Sequence, residues 1–288
     1  MTMLTPVLPT PTVSFQSSAE FIPAGLSNPW LKKTGSTLGL AMVGVAVLVA
    51  LWYIGCSQVA DLPTPTDTLR ELQALVAHGF HDGGAGDQGI LLQLMASLTR
   101  VFSGFGLAVL LGVPLGLAMG SSARTWKAAN PIVQFLRPVS PLAWYPLLLI
   151  VFTNAGKASV WVICLTGLWP IVLNTAAGAS SVPSDQRNVA KVFHLKRAAY
   201  VRHIVMPHTL PSIVTGLRLS MGTAWMVIVA VEMMSGKTGI GNYVWTVYNA
   251  GNMAKVTASV ILIGATGLIL DLIFLKLSRI VTPTEARP

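Results

Sequence analysis

Four groups of side chains in this sequence are of types that chemistry uses. Ser235-Gly236-Lys237-Thr238 imitates the end of a phosphate-binding loop, in which backbone amides and a lysine cradle a nucleotide's phosphates. The first glycine of such a loop would fall at Val231, which ends an apolar run, and no strand pattern precedes it, so no ATP site is expected. His78, His81 and Asp82 could begin a metal site, but no cysteine or second carboxylate-histidine pair completes the ligand set, and a solvated loop accounts for them. His194, His203 and His208 lack ligand spacing and lie among basic residues. Glu232 and Asp271 are the carboxylates at the ends of apolar runs, thin equipment for a proton-coupled carrier. No catalytic constellation emerges, and no metal or cofactor is expected on this chain.

What remains is a stretch whose chemistry is binding. Pro183 to Pro211 carries Arg187, Lys191, Lys196, Arg197 and Arg202 against the acid Asp185. At roughly 2.5 to 3.5 kcal/mol per centrally placed basic residue, inserting these charges into a bilayer would cost about 12 to 17 kcal/mol. The stretch is nonetheless patterned. Val189, Val192 and Phe193 fall at i, i+3, i+4, and Tyr200, Val201, Ile204 and Val205 form a second helical stripe. Two short amphipathic helices outside the membrane are expected, with Pro183 in the first turn of one and Pro207 and Pro211 ending the other. An apolar stripe on an exposed helix needs a partner, either another protein or the chain's own spans.

The elements that position this island are apolar. Hydrophobic residues make up 53% of the 288-residue chain and charged residues 10%, an integral membrane composition rather than that of a soluble domain. The net charge of +9 is therefore judged by where the charges lie. Residues 1–34 read as a flexible cytoplasmic tail. Residues 35–56 read as a first transmembrane helix, the apolar run being too long and its charged pair, Lys32 and Lys33, too late for a signal peptide. Residues 57–89 form an acidic periplasmic loop. Residues 90–276 contain the remaining spans, expected at Ile90–Met119, a proline-broken segment from Arg137 through Phe152, Ala158–Ala177, Thr209–Val231 and Ala254–Leu275, with the island at 183–208. Residues 277–288 form a cytoplasmic tail. Arg124 and Lys127 mark a polar turn, Glu232 to Gly251 a polar connection, and Arg100 sits either at the outer boundary or against a polar interior. Gly112, Gly116 and Gly120 repeat at four-residue spacing, which lets another helix approach closely.

With six spans and both termini inside, thirteen basic residues fall on the cytoplasmic side and four, Arg70, Lys157, Lys237 and Lys255, outside. The island is cytoplasmic in this arrangement. Cys56 and Cys164 lie in apolar segments and give no disulfide framework.

A resemblance runs through these segments. Asn174-Thr175, Val182-Pro183, Val189-Ala190-Lys191-Val192, Pro207-His208-Thr209-Leu210-Pro211, Thr215-Gly216-Leu217-Arg218, Ala224-Trp225 and Glu232-Met233 together resemble the permease subunit of binding-protein-dependent ABC importers, over about residues 90–275. Within that family the chain most resembles the nitrate, cyanate and bicarbonate permeases. Arg137-Pro138-Val139-Ser140-Pro141-Leu142-Ala143-Trp144 has Ser140 where sulfonate and taurine permeases usually show Pro. Trp169 to Thr175 and Gly239-Ile240-Gly241-Asn242-Tyr243-Val244-Trp245 point the same way. His194 stands where the family's coupling motif generally has Gly, as in other nitrate-type members, and leaves the turn there open.

The resemblance implies an all-α integral membrane fold, the type I ABC importer transmembrane domain, with about six transmembrane helices and a cytoplasmic coupling helix, in the bacterial inner membrane. It implies that two permease copies enclose a pathway, that cytosolic ATPase subunits using ATP and Mg grip the island, and that a periplasmic or lipid-anchored binding protein delivers substrate. On that basis Val189, Val192, Phe193 and Leu195 are expected to dock on the ATPase, with Arg187, Lys191, Lys196 and Arg197 orienting it. Asn174, Thr175, Arg218 and Trp225 are expected along the pathway. The expected cargo is a small inorganic anion, nitrate or nitrite first, then bicarbonate, cyanate or a sulfonate such as taurine. A membrane scaffold without transport and a stand-alone secondary carrier are the readings of other classes.

Overall fold

An apolar chain in lipid must satisfy its backbone N–H and C=O groups internally, which favours helices. The computed structural model describes residues 29–59, 61–84 and 88–281, and every named element among them is helical. The expected tail before residue 29, and residues 282–288 of the other tail, lie outside the described residues. The chain divides into two compact units, Met1–Leu51 and Trp52–Pro288. α1, Pro29–Gln58, starts ahead of the expected span, so residues 29–34 are helical rather than tail. Its apolar described part is Met42–Gln58.

In the second unit, the end of α1 is fixed by the Trp52 indole N–H donating to the Pro63 carbonyl at 3.1 Å. Among the described residues there, four helices are long and apolar enough to cross a membrane: Ile90–Ser121 (α3), Ala155–Ser180 (α6), Arg197–Ser235 and Met253–Ile280. A fifth crossing is possible through α4, Ala123–Leu136, and α5, Pro141–Phe152, bent by 97° at Arg137 to Ser140.

Several expected breaks are helical instead. The acidic loop contains α2, Pro65–Ala77, whose Thr64 hydroxyl accepts from the Asp67 amide at 3.2 Å behind a proline in the first turn. The polar turn at Arg124 and Lys127 is the start of α4, capped by Ser122 on the Thr125 amide. The second island helix does not stop at Pro207 either. α8, Arg197–Tyr200, continues through a π-turn, Val201–Val205, into α9, Met206–Ser235. The Met206 amide bonds back to Val201, one residue wider than an α-turn, and this widening before Pro207 is where a helix can absorb a proline ring and its missing donor. The polar connection holds α10, Ile240–Asn249, followed by α11, Met253–Val281, and Glu232 lies inside α9.

The core is a sandwich of α6 between α3 and α9, and small residues set its spacing. A Cβ at Gly116 would meet Thr175 Cβ at 2.6 Å and the Val172 carbonyl at 2.7 Å; Gly104, Gly112 and Gly120 press on α6 in the same way. The glycine row therefore faces α6. On α6's other side Gly178 abuts Ser212 and Thr209, and Gly216 of α9 abuts Asn174 and the Pro170 carbonyl. Lipid gives little hydrophobic drive between helices, so this close backbone approach is what dispersion uses to hold them. Ile163, Met221, Ala224, Trp225, Ile228 and Ile240 form the main buried cluster, closed by Leu270 and Phe274 of α11.

Candidate functional site

The island is built on a short, well-terminated helix. α7, Ser184–Val192, follows Pro183 and has Asp185 in its first turn and Lys191 in its last, matching the helix dipole at both ends. It stops in a Schellman motif: the His194 amide donates to Lys191 O and the Leu195 amide to Ala190 O, both at 3.0 Å. His194 takes φ 46° to do so, the left-handed conformation that a glycine adopts without cost, which defines the turn the sequence left open. The Arg187 guanidinium donates to the Ser180 carbonyl at 2.6 Å and ties α7 to the end of α6.

The two apolar stripes of the island have different fates. Val205 of the second stripe is buried against Ala179 and Val182, with Tyr200 and Ile204 packed beside it, so its partner is the chain's own α6 end. On α7 only Ala190 is buried, whereas Val192 is 75% and Phe193 72% exposed, and Val189 and Leu195 are exposed too. Lys191, Lys196 and Arg197 are also exposed around them.

A lateral cleft of about 540 Å³ lies between α5, α6 and α9. Arg137 stands at the α4–α5 bend, Trp144 comes from the first turn of α5, Thr166, Trp169 and Asn174 come from α6, and Thr223 from α9. Of the four residues expected along a pathway, only Asn174 lines this cleft. Thr175 is buried under Gly116. The Trp225 indole donates to Ile263 O at 3.1 Å. Arg218 points to α11, where Nε and Nη2 bond both Asp271 oxygens at 2.7 and 2.8 Å, so its charge is compensated. Helical phase explains the split: Arg218 and Trp225 share a stripe two turns long, while Leu219 and Thr223 on the adjacent stripe face the cleft.

Sequence reasoning missed a buried polar lock. Gln93, Ser97 and Arg100 fall at i, i+4, i+7 on α3 and face Glu232, which is fully buried. One Glu232 oxygen takes the Arg100 guanidinium at 2.6 Å; the other takes the Ser97 hydroxyl at 2.7 Å and the Gly241 amide at 3.1 Å. Ser97 Oγ accepts the Ile240 amide at 2.8 Å, and Gln93 Oε1 accepts the Gly239 amide at 2.5 Å. The orphan N–H groups of Gly239, Ile240 and Gly241 at the start of α10 are thereby satisfied. A Cβ at Gly239 would strike the Glu232 carboxylate, and one at Gly241 would strike the Val229 carbonyl, which is why this turn reads Gly-Ile-Gly. The spacing on α3 was a usable signal, but nothing in it named a partner in α9.

The remaining candidates resolve simply. Ser235-Gly236-Lys237-Thr238 is the end of α9, with Gly236 at φ 61° as its cap. His78 and His81 line a separate cavity of about 400 Å³ with Glu71, Tyr243 and Lys255. Among the described residues no group of three or more His, Cys, Asp or Glu could hold a metal ion.

Residues 108–285, more than half of the chain, match the family described as binding-protein-dependent transport system inner membrane component. The chain belongs to this family. The permease is 40% identical over 246 residues to the nitrate import permease of Synechocystis sp., covering 85% of this chain and 90% of that one. It is 38% identical to the bicarbonate transport system permease of Synechococcus elongatus, covering 86% and 90%. An inward-facing structure of the MetNI methionine ABC transporter superposes with a TM-score of 0.60 at 14% identity, covering 73% of this chain and 98% of that one, a likeness of fold. The permease is thus an integral inner-membrane ABC importer subunit of the nitrate, bicarbonate and taurine type, with the type I transmembrane fold.

Proposed function

We propose that the permease forms half of the membrane pathway of an ATP-driven importer for a small inorganic anion, nitrate or nitrite first, with bicarbonate, cyanate and sulfonates such as taurine as alternatives. The family and the names of its relatives support the class, since nitrate permeases at 40% and 38% identity and a bicarbonate permease at 38% are all similar to this chain. Two copies of this chain enclose the pathway. Two cytosolic ATPase subunits, which hold the ATP and Mg, grip the island, and a periplasmic or lipid-anchored binding protein delivers the anion.

The observation that carries the coupling part is the exposed apolar tip of α7. Val192 and Phe193 project from the end of a helix closed by a Schellman motif, and no described residue covers them. An aromatic side chain at 72% exposure on an ordered helix is suited to filling a partner's groove. Val189 and Leu195 extend the apolar contact, while Lys191, Lys196 and Arg197 orient it. Arg187, committed to Ser180, holds the helix in place from below. The positive-inside arrangement puts this surface in the cytoplasm.

Phe193→Asp tests the reading. As an anchor residue worth about 2 kcal/mol or more, its loss should weaken co-purification of the ATPase about 30-fold and abolish ATP-dependent anion uptake by reconstituted vesicles. Unchanged uptake and co-purification would remove the docking role. Uptake by the lone permease on an ion gradient would replace the importer reading with a carrier.

A further inference from the structure

Arg100, Arg137 and Arg218 differ in what their charges meet, and the structure has spent two of them. Arg100 is consumed by Glu232 and Arg218 by both oxygens of Asp271. Arg137 alone of the three has no acid or acceptor for its guanidinium among the described residues, and it lines the cleft. The same sorting applies to the indoles. Trp52 and Trp225 donate to the carbonyls of Pro63 and Ile263, whereas the half-buried Trp144 and Trp169, both in the cleft wall, donate to nothing described; half-buried Trp161, outside the cleft, also lacks an acceptor and stacks on Phe152. A half-buried indole N–H ordinarily has a partner.

The other polar groups of the cleft present the opposite pole. The Thr166 hydroxyl donates to Val162 O at 2.7 Å, the Asn174 amide to Pro170 O at 2.8 Å, and the Thr223 hydroxyl to Ser220 O at 2.9 Å. The threonine protons are used on the backbone, so lone pairs are what those hydroxyls have left for the cleft, while Asn174 keeps its amide oxygen and one N–H. The free donors of the cleft are therefore Arg137, the indoles of Trp144 and Trp169, and the second N–H of the Asn174 amide. Lone pairs on the other wall suit the hydrogens of water. At about 30 Å³ per water, 540 Å³ holds an anion together with much of its hydration shell.

We propose that this cleft is a selectivity site of the permease itself, where Arg137 and the indole N–H groups of Trp144 and Trp169 take a partly hydrated monovalent oxyanion while Asn174, Thr166 and Thr223 hold its water. The proposal rests on the reading of the chain as an anion permease. A single uncompensated cation in a wet cleft attracts an anion and still lets it leave, which throughput requires. It also discriminates by charge. A zwitterion such as taurine brings an ammonium group toward the same guanidinium and gains less.

The experiment uses the complete complex with its ATPase and binding protein in vesicles, with nitrate as the probe and taurine as competitor. Arg137→Gln should lower ATP-dependent nitrate uptake at saturating binding protein about tenfold, the effect of one partly screened charge, and narrow the preference for nitrate over taurine. Arg137→Lys should recover most of the rate. Trp169→Phe, which keeps the ring and removes the N–H, should lower uptake several-fold with ATPase co-purification retained. Nitrate uptake and preference within about twofold of wild type in assembled Arg137→Gln would overturn the proposal. If that variant fails to assemble, unchanged uptake by Trp169→Phe overturns it instead. A wild-type complex that moves no anion on ATP would overturn the functional reading, an outcome distinct from both.

Discussion

Among the described residues two ion pairs join helices of this bundle, and they are built differently. Arg100–Glu232 bridges α3 and α9 with the acid 1% exposed, and each Glu232 oxygen is satisfied by further or charged donors. Arg218–Asp271 bridges α9 and α11 as a bidentate fork with side chains 39% and 44% exposed. The first pair is the centre of a network that also fixes the start of α10 through Ser97 and Gln93. The second is a clamp between two helices with little else attached. Burial raises the stakes of a polar group: fully satisfied it specifies one arrangement, and half-satisfied it costs more than an apolar contact would. The comparison teaches that a charge inside an apolar span can be architecture rather than pathway, and that the groups around it reveal which.

Breaking the buried pair should give the largest effect. Glu232→Ala strands the Arg100 guanidinium and the Gly241 amide, and a loss of about 3–5 kcal/mol is expected, read as a collapse of folded yield and thermal stability in detergent. An effect under about 1 kcal/mol would show that water reaches the site. Ser97→Ala sharpens the contrast from within the network. It removes one acceptor from the Ile240 amide and one donor from Glu232, and should cost about 1–3 kcal/mol, the desolvation penalty of unsatisfied buried groups, in the same melting assay. Asp271→Asn should have the smallest effect, about 1 kcal/mol or less, because the remaining guanidinium is already part-exposed. A loss of 3 kcal/mol or more there would place the pair against lipid and erase the distinction between the two pairs.

The same contrast separates the cleft from the lock. Arg137 and Arg100 are both arginines next to apolar segments, yet one is compensated and the other is open to a cavity. From residue type alone Arg218 looked as suitable for an anion pathway as either. What decided among the three was which acid each could reach, and for Arg218 that acid, Asp271, lies 53 positions away in the chain.

Much of the fold was nevertheless readable. Apolar length marked the long spans, the Gly112, Gly116, Gly120 row announced a close helix contact, and the spacing of Val189, Val192 and Phe193 announced the short helix α7. These are local properties, since composition and helical period act over a few turns and hold whatever the rest of the chain does. The misread breaks at Arg124 and Pro207 have local causes too: a serine cap and a π-turn let helix continue where polar residues and prolines argued for its end. The partner of the glycine row, the inward fate of the second island stripe, the Gln93–Ser97–Arg100–Glu232 lock and the cleft's division into donors and acceptors came from tertiary structure alone. Each depends on which face of one helix meets which face of another far along the chain, more than a hundred residues in the case of the lock, or on which hydrogen bonds the backbone has already taken, and a one-dimensional pattern records neither.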